Sequence, residues 1–136
     1  MRILVDTNVW IRLVARDDPG QAEAAAKLIG ESLQRGYQLV LSTVIAAELA
    51  WVLGNKFKLS WTAVADFFQG LSATSGVELE NEGTVLAACH LASRENVDFA
   101  DAYNALWAQE QGITTAFTFD TKHFRRLGFE AVQAPG

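Results

Sequence analysis

The sequence has 136 residues and a formal net charge of -5. Half of the residues are hydrophobic and a fifth are charged, which is typical of a folded globular protein and excludes a disordered chain. No apolar run approaches the roughly 20 residues of a transmembrane helix, and acids interrupt the N-terminal apolar stretch, so no signal peptide is expected. The single cysteine excludes an internal disulfide and a cysteine-rich zinc site. We therefore expect a cytoplasmic protein that is too acidic to hold nucleic acid by charge alone.

Short strands alternate with helices along the chain. Apolar runs and turn residues predict strands at residues 2–5, 38–41, 77–79, 114–118 and 129–132. Helical spacing and caps predict helices at residues 7–15, 20–34, 44–55, 61–73, 82–95, 99–111 and 121–126. The first strand is expected to be buried, and Thr7 is available to cap the first helix. No repeat or linker divides residues 1–136, so we predict one α/β/α three-layer domain around a mainly parallel sheet of four or five strands.

Two acidic residues directly follow predicted strands. Asp6 comes after the first strand, and Asp120 comes after TTAFTF near the C-terminus. In parallel α/β folds, ligands bind outside the carboxyl ends of the strands, which is where both acids are expected. Asp6 is equally well explained as a cap of the helix that follows it.

Two further acids lie on predicted helices. Glu48 stands in VIAAELAWVL, which is apolar almost all round, and Lys and Arg are absent from residues 37–55. A carboxylate buried there needs a partner from elsewhere. Asp98 and Asp101 begin a later helix, where a capping box explains both, although Asp101 also points beyond the helix N-terminus.

The four acids Asp6, Glu48, Asp101 and Asp120 can converge at one edge of the sheet. Convergent carboxylates repel one another unless a divalent cation neutralises them. Oxygen ligands favour Mg²⁺, or Mn²⁺, over zinc. A metal held in this way orients phosphate oxygens and activates water, which is the chemistry of phosphodiester hydrolysis with one ion or two.

Four segments in this order carry a resemblance to a known family. They are LVDTNVW, TVIAAELAWVL, FADAYNALWA and TAFTFDTKHFRRLG. Together they resemble PIN-domain ribonucleases, and among them the VapC-like toxins of toxin–antitoxin pairs. The resemblance implies a Mg²⁺-dependent endoribonuclease that forms a homodimer, cleaves RNA and is inhibited by a cognate antitoxin protein. It implies that the catalytic, metal-binding acids are Asp6, Glu48, Asp101 and Asp120, supported by Asn8, Thr118 and Asp98.

Basic residues near these acids are candidate RNA contacts. Lys122, Arg125 and Arg126 follow Asp120 and can hold phosphates, although an ordinary basic helix end explains them as well. Arg12, with Arg16 one turn further on, is a second candidate. His123 is given no role.

Four other interpretations remain open. A haloacid-dehalogenase-like phosphatase also begins with a strand that ends in Asp, but it needs a second acid where this chain has Asn8. A response-regulator receiver needs paired acids after its first strand, and only Asp6 fits. A PIN-type RNA-processing nuclease without a toxin role, or a non-catalytic module that binds RNA or protein, would keep the same fold.

Overall fold

The computed structural model describes residues 1–15 and 17–133, so Arg16 lies outside the described residues. The strands are β1 (Arg2–Leu4), β2 (Gln38–Leu41), β3 (Val77–Leu79), β4 (Thr115–Phe117) and β5 (Glu130–Val132). The helices are α1 (Thr7–Ala15), α2 (Pro19–Gln34), α3 (Thr43–Trp51), α4 (Trp61–Ala73), α5 (Glu82–Glu95), α6 (Phe99–Glu110) and α7 (Thr121–Arg126). Each predicted element is confirmed within a few residues, except that the helix predicted at 44–55 ends earlier and continues as a π-helical turn, Val52–Lys56.

Short polar side chains set the start of the helices that carry the predicted site. The Ser42 hydroxyl accepts a hydrogen bond from the backbone N–H of Ile45 (3.2 Å), which caps α3. A carboxylate oxygen of Glu80 accepts a second bond from the N–H of Thr43 (2.9 Å). These two bonds satisfy donors that would otherwise be unpaired at the helix end, so the position of α3 is fixed relative to the loop after β3.

The strands form two separate parallel sheets. One has the order β1-β2-β3, and the other pairs β4 with β5. The prediction of one sheet with four or five strands is therefore wrong. The outer edges of β1 and β4 do not pair with each other; Leu4 and Phe117 are 66% and 69% exposed there. The second sheet is instead closed locally by α7, whose Phe124 packs against Phe129 before β5 (ring centroids 5.6 Å apart).

The main hydrophobic core lies around β2 and the helices that pack on it. Its largest fully buried side chains include Trp10 on α1, Leu39 and Leu41 on β2, and Phe68 on α4. The expectation that the first strand is buried is wrong, because β1 is an edge strand with exposed side chains and burial begins at Val5. Among the described residues, no helix is both long and apolar enough to pass through a bilayer.

Candidate metal centre

Asp101 lies half-buried in the first turn of α6. Burial raises the pKa of its carboxyl, and the negative charges of Asp98 and Asp120 raise this pKa further, while His123 lowers it. Burial and like charges both disfavour an ionised carboxylate, so the surroundings of Asp101 disfavour the ionised form of its side chain. The carboxylates of two helix starts therefore lie within electrostatic reach of one another.

The predicted capping box at the start of α6 is not formed. Asp98 occupies the N-cap position, as predicted, but its side chain makes no capping hydrogen bond. The helix start at α6 therefore has acidic side chains that are not committed to capping it. This is the condition under which their oxygens remain free to bind something else.

Asp120 caps α7 and contacts a histidine. One of its carboxylate oxygens accepts a hydrogen bond from the backbone N–H of His123 (3.2 Å). The other lies 2.8 Å from the His123 Nδ1, which forms an ion pair when the imidazole is protonated. The Thr118 hydroxyl accepts a bond from the Asp120 N–H (2.9 Å), so Thr118 orders the turn that presents the acid. No role was predicted for His123 from the sequence. Its spacing of three residues from Asp120 in DTKH places the two side chains in the same helical turn.

Asp6 is exposed where β1 leads into α1. Its Oδ1 accepts a hydrogen bond from the backbone N–H of Thr7 (2.8 Å), so the acid satisfies one donor of the helix start. The prediction that Thr7 caps α1 is wrong, because Thr7 is the first helical residue and its buried hydroxyl has no hydrogen-bond partner among the described residues. Asn8, one residue further, lines an open cavity between α1 and α2.

Glu48 is exposed on α3, so the expectation of a buried carboxylate that needs a partner is wrong. Helix α3 is not covered all round. It buries one side through Ala46, Leu49 and Ala50, and it leaves Val44 and Trp51 exposed at 76% and 58%. Because residues four and three apart share a helix face, Val44, Glu48 and Trp51 lie on one exposed face. Glu48 therefore stands in solvent between two large apolar side chains.

Three of the four predicted RNA-binding cations contact other groups of the chain. Arg126 donates to the backbone oxygen of Glu95 and pairs with its carboxylate, and Arg125 donates to the backbone oxygen of Ala131. Arg12 pairs with Asp17 (2.9 Å). Lys122 is exposed. The Arg125 guanidinium therefore bonds within the β4–α7–β5 segment, and the Arg126 guanidinium joins this segment to the end of α5.

Asp98, Asp120 and His123 lie within electrostatic reach of Asp101, while Asp6 and Glu48 are presented by other elements. Within residues 1–15 and 17–133, no three His, Cys, Asp or Glu side chains are placed so that they could hold one metal ion between them. The oxygen donors are those that Mg²⁺ and Mn²⁺ prefer, yet in this arrangement they do not form a complete coordination shell. The convergence of all four predicted acids is not seen here, and their common role as ligands stays a prediction.

Parallel strands, helical crossovers and acids at the helix starts define an α/β protein with an acidic site. The family model described as PIN domain matches residues 3–130. The chain therefore belongs to the PIN-domain family. PIN domains are generally metal-dependent nucleases that use divalent metal ions and act on RNA or other nucleic acid. No curated protein and no solved structure matches the chain significantly.

Proposed function

We propose that the chain is a Mg²⁺-dependent endoribonuclease, and that it is the toxin of a toxin–antitoxin pair. The observation that carries the nuclease proposal is the group of carboxylates at the starts of α6 and α7, in which burial, and after it the negative charges of Asp98 and Asp120, raise the pKa of Asp101. Mutual repulsion of this kind is relieved when a divalent cation binds. In a member of the PIN-domain family, that cation is expected to serve phosphodiester hydrolysis.

The proposed ligands are Asp6, Glu48, Asp101 and Asp120. When bound, Mg²⁺ (or Mn²⁺) would supply an activated water and neutralise charge on the phosphate. His123 holds the Asp120 carboxylate through Nδ1, and Thr118 fixes the backbone that presents it. Asn8 and Asp98 support the site from beside Asp6 and Asp101.

The proposed partners are RNA, a cognate antitoxin and a second copy of the chain, in the cytoplasm. Lys122, an exposed residue in the first turn of α7, is the candidate phosphate contact. The homodimer proposal is supported by large apolar side chains left uncovered on α3 and α6, of which Val44, Trp51 and Trp107 are 76%, 58% and 47% exposed. Apolar side chains grouped on a surface are typical of protein interfaces. Sedimentation of the wild type and of Trp51→Lys tests the homodimer proposal, which is contradicted if both proteins sediment as monomers.

The nuclease proposal is tested by cleavage and by metal binding together. Wild-type protein should cut an unstructured RNA with Mg²⁺ and not with EDTA, and Asp120→Asn should lower the rate by at least about 100-fold, as expected for loss of a metal ligand. Isothermal titration with Mn²⁺ should show weaker binding to Asp120→Asn than to wild type. Asp66→Asn, an exposed acid on α4, is the matched control and should leave both unchanged. Full activity in EDTA would contradict the mechanism.

The toxin role needs a separate test. Expression of the wild type should arrest growth, expression of Asp120→Asn should not, and the product of a neighbouring gene should relieve the arrest. Cleavage without growth arrest would favour an RNA-processing PIN nuclease instead. Binding of RNA or protein without any cleavage would favour a non-catalytic module.

A further inference from the structure

An open cavity of about 460 Å³ lies between α1 and α2. Its walls include Asn8, Val9 and Arg12 from α1, and Gln21 and Leu28 from α2. Leu28 is 57% exposed, so a large apolar side chain faces this open space without cover. The volume is in the roughly 300–1,000 Å³ range of sites that bind small molecules.

A second cavity lies next to this one, beside Asp6. The second cavity has a volume of about 280 Å³ and is lined by Asp6 together with residues of β1 and α2. Val9 and Leu28 line both cavities, so the two spaces share a wall. We call these two adjacent cavities the groove; Asp6, a proposed catalytic acid, lines one of them, and Asn8, Arg12 and Gln21 line the other.

The polar groups of the groove suit a neutral, planar ligand better than a phosphate. Asn8 and Gln21 offer amides, each with a donor and an acceptor. The one cationic group among the described lining residues, Arg12, is paired with Asp17, and Asp6 adds negative charge. Among the described lining residues a phosphate would meet little free positive charge, whereas a nucleobase combines an apolar face with a hydrogen-bonding edge.

We propose that this groove binds an unpaired base of the RNA substrate, and that adenine is preferred. The apolar walls at Val9 and Leu28 would pack against the face of the base, while the amides of Asn8 and Gln21 would bond its edge. Asn and Gln form paired hydrogen bonds with N6 and N7 of adenine, whereas guanine is bound in the corresponding way by Arg or Lys. The inference rests on the proposed ribonuclease function, because it assigns the groove to the same substrate as the acids.

The first experiment measures base binding without cleavage. Uncharged nucleosides are titrated into ¹⁵N-labelled wild-type protein, and amide chemical shifts are followed. Adenosine should shift the signals of residues 8–12 and 21–28 in a saturable way, and uridine should bind about tenfold more weakly, because it lacks the N6/N7 edge. Absence of any saturable shift would overturn the proposal, as would equal binding of all four nucleosides.

The second experiment compares two glutamines of α2. Gln21→Ala should weaken adenosine binding about tenfold, since one bidentate pair is lost. Gln34, exposed at the end of α2 and outside the groove, is the matched control, and Gln34→Ala should bind as the wild type does. If both variants bind adenosine equally well, the groove does not hold the base.

Cleavage then separates this inference from the function on which it rests. On a pool of unstructured RNAs, the wild type should prefer sites near adenine, and Gln21→Ala should lose the preference, while the cleavage that remains in this variant should still require Mg²⁺. Cleavage with the same preference in Gln21→Ala would overturn the base site and leave the nuclease intact. Nucleoside binding without cleavage of any RNA would contradict the nuclease and leave the groove as a base site. Protection of the groove by an amphipathic protein helix, with no nucleoside binding, would overturn it in favour of a protein partner.

Discussion

The Trp61 ring, at the start of α4, lies close to Gly54 in the turn that follows α3. Gly54 lies in the π-helical turn Val52–Lys56, directly after the helix that carries Glu48. A Cβ added at Gly54 would lie 2.5 Å from Cη2 and 2.7 Å from Cζ3 of the Trp61 ring. Since carbon atoms pack at about 3.5–4.0 Å, Gly54→Ala requires the ring or the turn to move by roughly 1 Å.

The expected cost follows from two opposing terms. Overpacking of a tightly filled site costs about 1–3 kcal/mol, and replacement of a helical glycine by alanine returns about 0.5–1 kcal/mol. We therefore expect Gly54→Ala to lower the free energy of unfolding by about 1–2 kcal/mol, which for a domain of this size lowers Tm by about 3–7 °C. Gly30, inside α2, is the control because nothing lies within 4 Å of its Cβ position; Gly30→Ala should raise the stability by about 0.5–1 kcal/mol.

Thermal and urea unfolding followed by circular dichroism measure both changes. In a Trp61→Leu background the ring is gone, so Gly54→Ala should no longer destabilise, and the double-mutant cycle should show the coupling directly. The reasoning is refuted if Gly54→Ala is as stable as the wild type while Gly30→Ala is more stable. It is refuted equally if the cost of Gly54→Ala persists without Trp61.

Three other predictions concern the site and its surroundings. Because the pKa of Asp101 is raised in the folded state, its ionisation weakens folding, and the free energy of unfolding of metal-free protein should fall as pH rises from the usual carboxyl pKa through the raised one. Asp101→Asn should flatten that part of the pH profile in denaturant melts, and an unchanged slope would contradict the assignment. Burial raises the pKa of the Cys89 thiol to about 12. The native protein should therefore not react with a thiol reagent at pH 8, whereas the urea-unfolded protein should react fully. Rapid reaction of the native protein would contradict the burial of Cys89. Arg126→Ala should speed proteolysis within residues 115–132 about tenfold without lowering Tm by more than a few degrees. The reason is that this substitution removes the bonds to Glu95 and little else. Equal digestion of the variant and the wild type would show that these bonds do not hold the segment in place.

Local sequence patterns predicted the elements well because caps and turn residues act within a few positions. Ser42 and Ser60 cap the helices predicted after them, and Asp120 stands at the start of the helix predicted at 121–126. The composition of VIAAELAWVL, in contrast, gave a wrong environment for Glu48. Whether an apolar residue such as Val44 or Trp51 is covered depends on neighbours distant in sequence, and periodicity in one helix does not contain that information.

The pairing of the strands could not be predicted from the sequence either. The run TTAFT reads as a strand in either sheet, and nothing local distinguishes a partner in β1 from one in β5. His123 was left without a role for a related reason: its meaning depends on the Asp120 carboxylate to which it bonds. Asp101 was found from its position at a helix start and Asp120 from its position after a strand, because both signals are local, while the approach of these acids to one another had to be seen in three dimensions.

The segment from β4 to β5 has almost no core of its own. Helix α7 has no buried residue, and Ala131 is the buried hydrophobic residue described between positions 112 and 133. Regions with so little buried surface open at low free energy, independently of global unfolding. Backbone amides of residues 115–117 should thus exchange with deuterated solvent well before those of β2. Asp120 and His123 belong to that early-exchanging part, and Asp101 belongs to the slow one, so the acidic cluster spans a boundary between two levels of local stability.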